Sequence, residues 1–388
     1  MDYVIVGLLF AASLAGSLYL LFATAAVARF TERPRPRMAL GTAPPPVTVL
    51  KPLHGLDPGL YDNLLSFCDQ DYPGPVQIVC GVRDPLDPAV AAVERLRAAR
   101  PGADIALVVD PRVYGTNYKI SNLENMTKAA PAKHDVLIVV DSDMRVAPSY
   151  LAEVAAPLAD PAVGLVTCLY KGQPDDGSAW SRLGAAFINF GFLPSALVGD
   201  RLGSGNGCFG ATMALTRRTL DAVGGFAAFR DHLADDHALG VAVRALGLRV
   251  ELSPHVVTDI LVEPSAAALV RHELRWARTI RAVAPWSYVG SFVTHPVALA
   301  LIGVLLSGFA LTAWAILAIS LAARATMVWR TARALKVSRP SWPLLIGRDL
   351  LSFGVFVTSF CGSRIAWRDH RFRLGPDGRL TLSGDSRA

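Results

Sequence analysis

Charge is scarce in this chain, and cysteine is scarcer. Asp, Glu, Lys and Arg make up 18% of the 388 residues against 52% hydrophobic, and mean hydropathy is +0.37. That balance excludes an ordinary soluble globule and implies one soluble domain with several membrane segments. The cysteines (Cys68, Cys80, Cys168, Cys208 and Cys361) are odd in number, far apart and without a Cys-x-x-Cys pair. This excludes a disulfide framework and a cysteine zinc site, and it fits a reducing, cytoplasmic compartment. No basic low-complexity arm accompanies the net charge of +6 and the pI near 9.2. Much of the arginine flanks apolar runs, so the charge points to a membrane surface and not to nucleic acid. No glycine cluster has the spacing of a phosphate loop. No positive region precedes the first apolar run, which argues against a cleaved signal peptide.

What is present centres on residues 134–143, His134-Asp135-Val136-Leu137-Ile138-Val139-Val140-Asp141-Ser142-Asp143. Five consecutive apolar residues read as a strand buried on both faces, with an acidic triplet where the run stops. In an open α/β sheet the carboxyl edge is where ligands bind, and paired carboxylates there suit a hard divalent cation holding phosphate oxygens. A polar turn leaving a strand is the plainer alternative.

The same grammar recurs upstream. Apolar runs at 47–50, 76–82 and 105–109 alternate with helical stretches at 59–70, 88–100 and 119–130, which predicts right-handed βαβ crossovers and a mainly parallel sheet. Asp84 then falls on the same edge as Asp141 and Asp143, as a nucleotide-sugar site requires. Downstream, 164–170 and 211–215 read as strands and 179–193 as a helix. Between them Gly203-Ser204-Gly205-Asn206-Gly207-Cys208-Phe209-Gly210 is either a flexible loop or a place where backbone approaches a ligand closely. Asp235 and Asp236 open a helix to about residue 246; they either favour its N-terminus electrostatically or supply a general base. In 271–281, Arg271, Arg275 and Arg278 share a helical face beside Trp276. That face suits solvent, lipid headgroups or a pyrophosphate leaving group.

Residues 3–30 carry no charge before Arg29 and are long enough to cross a bilayer. Arg29, Arg33, Arg35 and Arg37 follow, so the positive-inside rule places the N-terminus outside and the next domain in the cytoplasm. Residues 31–46 read as a stiff linker and 47–285 as the catalytic domain. The apolar stretch at 286–323 predicts a hairpin of two spans, 324–343 a basic cytoplasmic segment, 344–367 a re-entrant or interfacial segment, and 368–388 a cytoplasmic tail.

The ordered set Asp84, Asp141-Ser142-Asp143, Asp235-Asp236 and His272-x-x-Arg275-Trp276 resembles the signature of inverting, membrane-bound GT-A glycosyltransferases of family 2 and its relatives. More closely, Leu50-Lys51-Pro52-Leu53-His54-Gly55, Gly115-Thr116-Asn117-Tyr118-Lys119-Ile120-Ser121-Asn122-Leu123 and Ala366-Trp367-Arg368-Asp369-His370-Arg371-Phe372-Arg373 look like ceramide glucosyltransferase-type enzymes of family 21, including bacterial relatives linked to hopanoid lipids. Where that pattern usually has Gln or Arg before x-x-Arg-Trp, this chain has His272. The resemblance implies an α/β GT-A domain with transmembrane helices at both ends. It implies Asp84, Lys119, Asp141, His272, Arg275 and Trp276 on a UDP-sugar donor, and Mg2+ or Mn2+ on Asp141 and Asp143. Asp236 becomes the base, while Asp235, Cys208 and Gly210 lie on the acceptor side. A lipid acceptor and the bilayer are the implied partners, and an Ala- and Arg-rich chain points to a bacterial inner membrane. The hopanoid subgroup points to UDP-N-acetylglucosamine and a hopanoid polyol. Ceramide with UDP-glucose is the alternative within the family, and a processive polysaccharide synthase is the alternative beyond it. A membrane nucleotidyltransferase would need a basic phosphate loop near the first strand, for which Lys51-Pro52-Leu53-His54-Gly55 is poor.

Overall fold

The computed structural model describes residues 2–38, 43–129, 134–203, 208–362, 364–367, 370–375 and 378–382. An eight-stranded sheet lies at its centre. Its strands are β1 (Val47–Pro52), β2 (Val76–Val82), β3 (Asp104–Val109), β4 (Val136–Val139), β5 (Met144–Arg145), β6 (Val163–Pro174), β7 (Met213–Thr216) and β8 (Arg249–Leu261), in the spatial order β3-β2-β1-β4-β7-β6-β8-β5. The first four strands pair in parallel, as the strand–helix alternation predicts. Beyond β4 the sheet turns mixed: β7 runs antiparallel to β4 and β6, β8 pairs parallel to β6, and the two-residue β5 runs antiparallel to β8. Val136, Leu137, Ile138 and Val139 of β4 are fully buried, so helices cover both faces and a continuous apolar run results.

Helices α2 (Leu60–Leu65), α3 (Ala89–Ala99), α4 (Tyr118–Ala129), α5 (Tyr150–Ala155), α8 (Arg217–Ala222) and α9 (Asp235–Ala245) pack on this sheet. One face is closed by a cluster of Val47, Val49, Ile78, Ile138, Phe67 and Tyr150, the other by Leu50, Val79, Leu137, Leu123, Met126 and Val243.

The remaining helices form a second body on the sheet. They are α1 (Asp2–Thr31), α6 (Ala179–Phe187), α7 (Leu193–Arg201), α10 (Ala266–Val283), α11 (Pro285–Gly290), α12 (Pro296–Leu306), α13 (Leu311–Leu335) and α14 (Trp342–Ser359). Residues 3–31, 179–201 and 311–335 are each long and apolar enough to cross a membrane, and α11 and α12, bent by 62° at their junction, pass that test together. Helices α6 and α7 are continuous through a π turn at Ile188–Phe192, a segment the sequence offered only as a helix. The basic segment read from residue 324 onward begins as helix, since α13 runs unbroken through Arg324, Arg330 and Arg333. Ala23, Val27 and Phe30 of α1 pack with Leu193 and Leu197 of α7, Leu169 of β6 and Leu335, joining the apolar helices to the sheet. Gly16 lets α1 come so close to the 291–294 turn that an added Cβ would lie 2.1 Å from the Val293 carbonyl oxygen. Three short strands, β9 (Arg364–Trp367), β10 (His370–Leu374) and β11 (Leu380–Leu382), form a small antiparallel sheet near the chain end.

Candidate active site

Six carboxylates and two lysines meet where β1 and β4 end and α9 begins. Buried Lys51 lies over the Phe67 ring at 4.4 Å and donates to the Asp141 carbonyl oxygen at 2.5 Å, which fixes the turn leaving β4. Burial lowers its ammonium to about 8 against the pull of Asp143 and Asp141. Ser142 donates its hydroxyl to Asp57, and the Asp143 carbonyl accepts from Ile260 N–H at 3.0 Å. Asp259 stands opposite Met144 in the β5–β8 pairing. Burial first, then Asp141 and Asp57, push the Asp143 carboxyl up to about 7; burial and the same acidic neighbours push Asp259 well above the carboxylate range.

Asp143 Oδ1 is buried and has no hydrogen-bond partner among the described residues. A buried carboxylate oxygen without a partner, amid more acidic than basic groups, is what a divalent cation neutralises. The residues therefore fit Mg2+ or Mn2+. Among the described residues no three His, Cys, Asp or Glu side chains converge as a finished cage.

Across this edge, α4 presents Lys119. Its ammonium is 2.7 Å from Asp141 Oδ1 and 3.5 Å from Asp235 Oδ2. Burial would lower it, but Asp141, Asp235 and Asp236 hold it above the lysine range. Asn117 donates to Asp235 at 3.2 Å and to the His232 carbonyl at 2.8 Å, locking the start of α4 to the entry of α9. Asp236 Oδ2 accepts the Gly210 N–H at 2.8 Å. Burial and the Asp235 charge raise the Asp236 carboxyl to about 6, with Lys119 opposing. A Cβ on Gly210 would lie 3.3 Å from Asp141 Oδ2, 3.4 Å from Asp236 Oδ2 and 3.5 Å from Lys119 Nζ, so the hydrogen at this glycine leaves the middle of the site open.

The remaining sequence candidates fall around this cradle. Asp84 lies at the end of β2, its Oδ1 accepting from Leu86 N–H at 2.8 Å. Beside it Arg83 stacks on Tyr118, the neighbour of Lys119, at 4.4 Å. His272 Nδ1 is 2.8 Å from Glu263 Oε1, and its ring meets Trp276 at 4.4 Å between centroids; Glu263 in turn is among the charges that raise Asp259. Trp276 also faces Phe187 of α6 at 6.0 Å, and half-buried Arg275 is on the same helix. The arginine face itself disperses. Arg278 and Arg281 donate to the Cys361 and Gly362 carbonyls beyond the end of α14, and Arg271 is exposed. The Cys208 thiol is buried in the core with Leu50 and Leu239, and burial pushes it far above the thiol range, so no thiol is presented to an acceptor. Residues 204–207 of the glycine cluster and Arg368-Asp369 of the late motif lie outside the described residues.

The sequence reading missed Asp57 and Asp259. Asp259 was hidden because Pro254-His255 interrupts the β8 pattern; these two residues are absorbed by a bulge, where Cys168 pairs with Ser253 and Leu169 with Val256. The structure shows Ser253, His255, Val257 and Asp259 buried on one face of β8, a face that the sequence marks with only one apolar residue, Val257.

The description "Glycosyl transferase family 21" matches residues 8–380 of this chain. Ceramide glucosyltransferase 1 of Caenorhabditis elegans is 22% identical over 357 residues, 88% of this chain and 74% of that protein. An N-acetylglucosaminyltransferase of Rhizobium leguminosarum bv. viciae is 26% identical over 260 residues, 65% of this chain and 59% of that protein. The mannosyltransferase PcManGT from Pyrobaculum calidifontis, solved with GDP-Man and Mn2+, superposes with a TM-score of 0.53 at 21% identity, covering 93% of this chain and 99% of that one. At that identity the likeness is one of fold.

Proposed function

The chain belongs to glycosyl transferase family 21 and has the GT-A fold, and from that premise we propose that it moves N-acetylglucosamine from UDP-N-acetylglucosamine to a hydroxyl of a membrane lipid, a hopanoid polyol, with inversion at the anomeric carbon. That it is a glycosyltransferase using a nucleotide sugar follows from the family. The sugar, the lipid, the residue roles and the inner-membrane location are our reading. The rhizobial relative, named as an N-acetylglucosaminyltransferase, supports this sugar over the glucose that the ceramide enzyme's name carries.

One observation carries the mechanism. Asp141, Asp236 and Lys119 all border the space beside Gly210. Asp236 takes the acceptor proton there, held in position by the Gly210 N–H. Asp235, engaged with Asn117 and Lys119, orients the lysine. Lys119 offers positive charge to the donor, Asp84 meets its nucleoside, and His272, Arg275 and Trp276 close over the leaving group. Asp141 and Asp143 would hold Mg2+ or Mn2+, which when bound neutralises charge on the diphosphate. No covalent nucleophile is required. Residues 47–285 form the catalytic domain in this reading, between a span at 3–30 and the C-terminal apolar helices.

Lipid mass spectrometry of a deletion strain tests the substrate: loss of an N-acetylhexosaminyl polyol, restored by the gene, is expected. Loss of a hexosyl ceramide instead would move the assignment to the other branch. UDP release by purified protein only when lipid acceptor is added tests the reaction itself, whereas pyrophosphate release would refute it.

A further inference from the structure

A cleft of about 680 Å3 opens between β6, α6 and the connection from α13 to α14, and its Gly172 pairs across the sheet with Asp259 of the acidic site. Four cations line it, Lys171, Arg182, Lys336 and Arg339, and no Asp or Glu does. None of the four is in an ion pair with a carboxylate among the described residues. Lys171 gives one hydrogen bond, to the Leu335 carbonyl at 3.2 Å, out of the three an ammonium can donate. Burial, and then the charge of Lys336, lower its ammonium from the usual range, a penalty that an anion between the two would remove. Lys336 itself ends α13 in the left-handed conformation, φ 54°, where glycine or asparagine is the usual choice, so a cation is kept at the lip at some cost to the backbone.

The other wall is apolar, formed by Phe190 and Leu344. The cleft also lies just past the C-terminal end of α13. Trp342, 57% exposed, follows the lining residue Ser341 directly, and an exposed tryptophan at the end of an apolar helix marks the membrane–water boundary. Cations together with apolar residues in one cleft match an amphiphile with a negative head. We propose that this cleft binds the phosphate of an anionic membrane phospholipid. The inference rests on the reading that α1 and α13 cross a bilayer. It is independent of the sugar, the acceptor and the roles given to the carboxylates. The cleft has no carboxylate to act as a base, so it is a docking site and not a second reaction centre.

Full-length protein in neutral detergent, titrated with phosphatidylglycerol, phosphatidylcholine or inorganic phosphate and followed by native mass spectrometry, tests this. Phosphatidylglycerol is expected to bind tighter than phosphatidylcholine, and Lys171→Gln with Lys336→Gln to weaken it by about fivefold per cation removed. Binding of UDP should be unchanged in that variant. Arg339→Gln, at an exposed lip position, gives a single-cation version that does not disturb buried structure. Equal binding of the two lipids, or unchanged binding by the variants, overturns the proposal. Displacement of phosphatidylglycerol by millimolar inorganic phosphate also overturns it, in favour of a free-phosphate site. Release of the chain from membranes by alkaline carbonate would refute the span reading and with it the lipid source, while leaving the glycosyltransferase assignment intact.

Discussion

Asp235 and Asp236 are neighbours, yet they are held by different partners. Asp235 is tied to Asn117 and Lys119, while Asp236 faces Gly210. Asp236→Asn keeps the volume and the Gly210 contact but removes the proton acceptor. Single-turnover transfer should therefore fall by about 10²- to 10⁴-fold with donor affinity retained. Asp235→Asn should cost much less; if it is the dead variant, the base is misassigned. The acid limb of kcat/KM gives a second check. A base raised to about 6 is protonated, and activity lost, as pH falls through that value. Because the Asp235 charge contributes to the rise, Asp235→Asn should move the limb to lower pH. An unmoved limb would assign it to another group. Gly210→Ala places a methyl 3.3 Å from Asp141 Oδ2 and in ordinary contact with Asp236 and Lys119, and should lower transfer while thermal unfolding stays at the parent value. Asp141→Ala and Asp143→Ala should each abolish transfer in a folded protein, and a near-normal rate at saturating Mn2+ would remove them from the metal site.

Between elements, the firmest polar link is buried. Arg348 of α14 and Glu273 of α10 form a two-pronged pair at 2.5 and 2.7 Å, with side-chain exposures of 1% and 4%. Arg348 also lies over the Phe187 ring at 5.4 Å, and Phe187 faces Trp276. Arg348→Met strands a buried carboxylate and should destabilise the protein by about 3–5 kcal/mol, whereas the double change Glu273→Met with Arg348→Met should recover most of that loss. Equal melting of single and double variants would show that the pair is not coupled. The parallel half of the sheet was legible because each of its strands is an apolar run bounded by proline, glycine or acid. In the mixed half β6 and β7 were read as strands, but β8 was not. β8 mixes buried Ser253, His255 and Asp259 into a strand of 13 residues, and those polar groups are tolerated inside because Glu153 lies 3.2 Å from His255 and the acidic site takes Asp259. The helical state of the basic second half of α13 was likewise not read, since the sequence shows only its cations and not that Asp349 and the Phe190 carbonyl receive Arg324.

At the scale of the whole molecule, the apolar helices and the sheet are pinned by a few close approaches. Arg35 in the connection after α1 reaches Glu153 at 2.7 Å, and Arg33 reaches Asp200 at 2.5 Å. Burial would raise the Glu153 carboxyl, but hydrogen bonds with His255, Ser149 and Arg35 outweigh it and hold it down to about 2. A lowered carboxyl stabilises the fold above its unfolded value near 4.5, and that contribution is lost as pH falls toward 2. Glu153→Gln should therefore lower the melting temperature at pH 7 and narrow its gap to the parent at about pH 3; a constant gap would refute the linkage. Gly16→Leu should lower stability by about 1–3 kcal/mol or more through overpacking against Val293, read as the thermal unfolding midpoint in detergent.

The Glu273–Arg348 pair also has a meaning in time. Its partners are 75 residues apart, so a ribosome making the chain exposes the carboxylates of the acidic site and α10 well before it releases α14. Until Arg348 arrives, Glu273 is a buried carboxylate without its cation, and α10 is held through contacts such as Trp276 on Phe187 and His272 with Glu263. A nascent chain stalled before residue 342 should therefore bind UDP poorly and spend no donor on water, so activity begins only once the last apolar helix has been delivered.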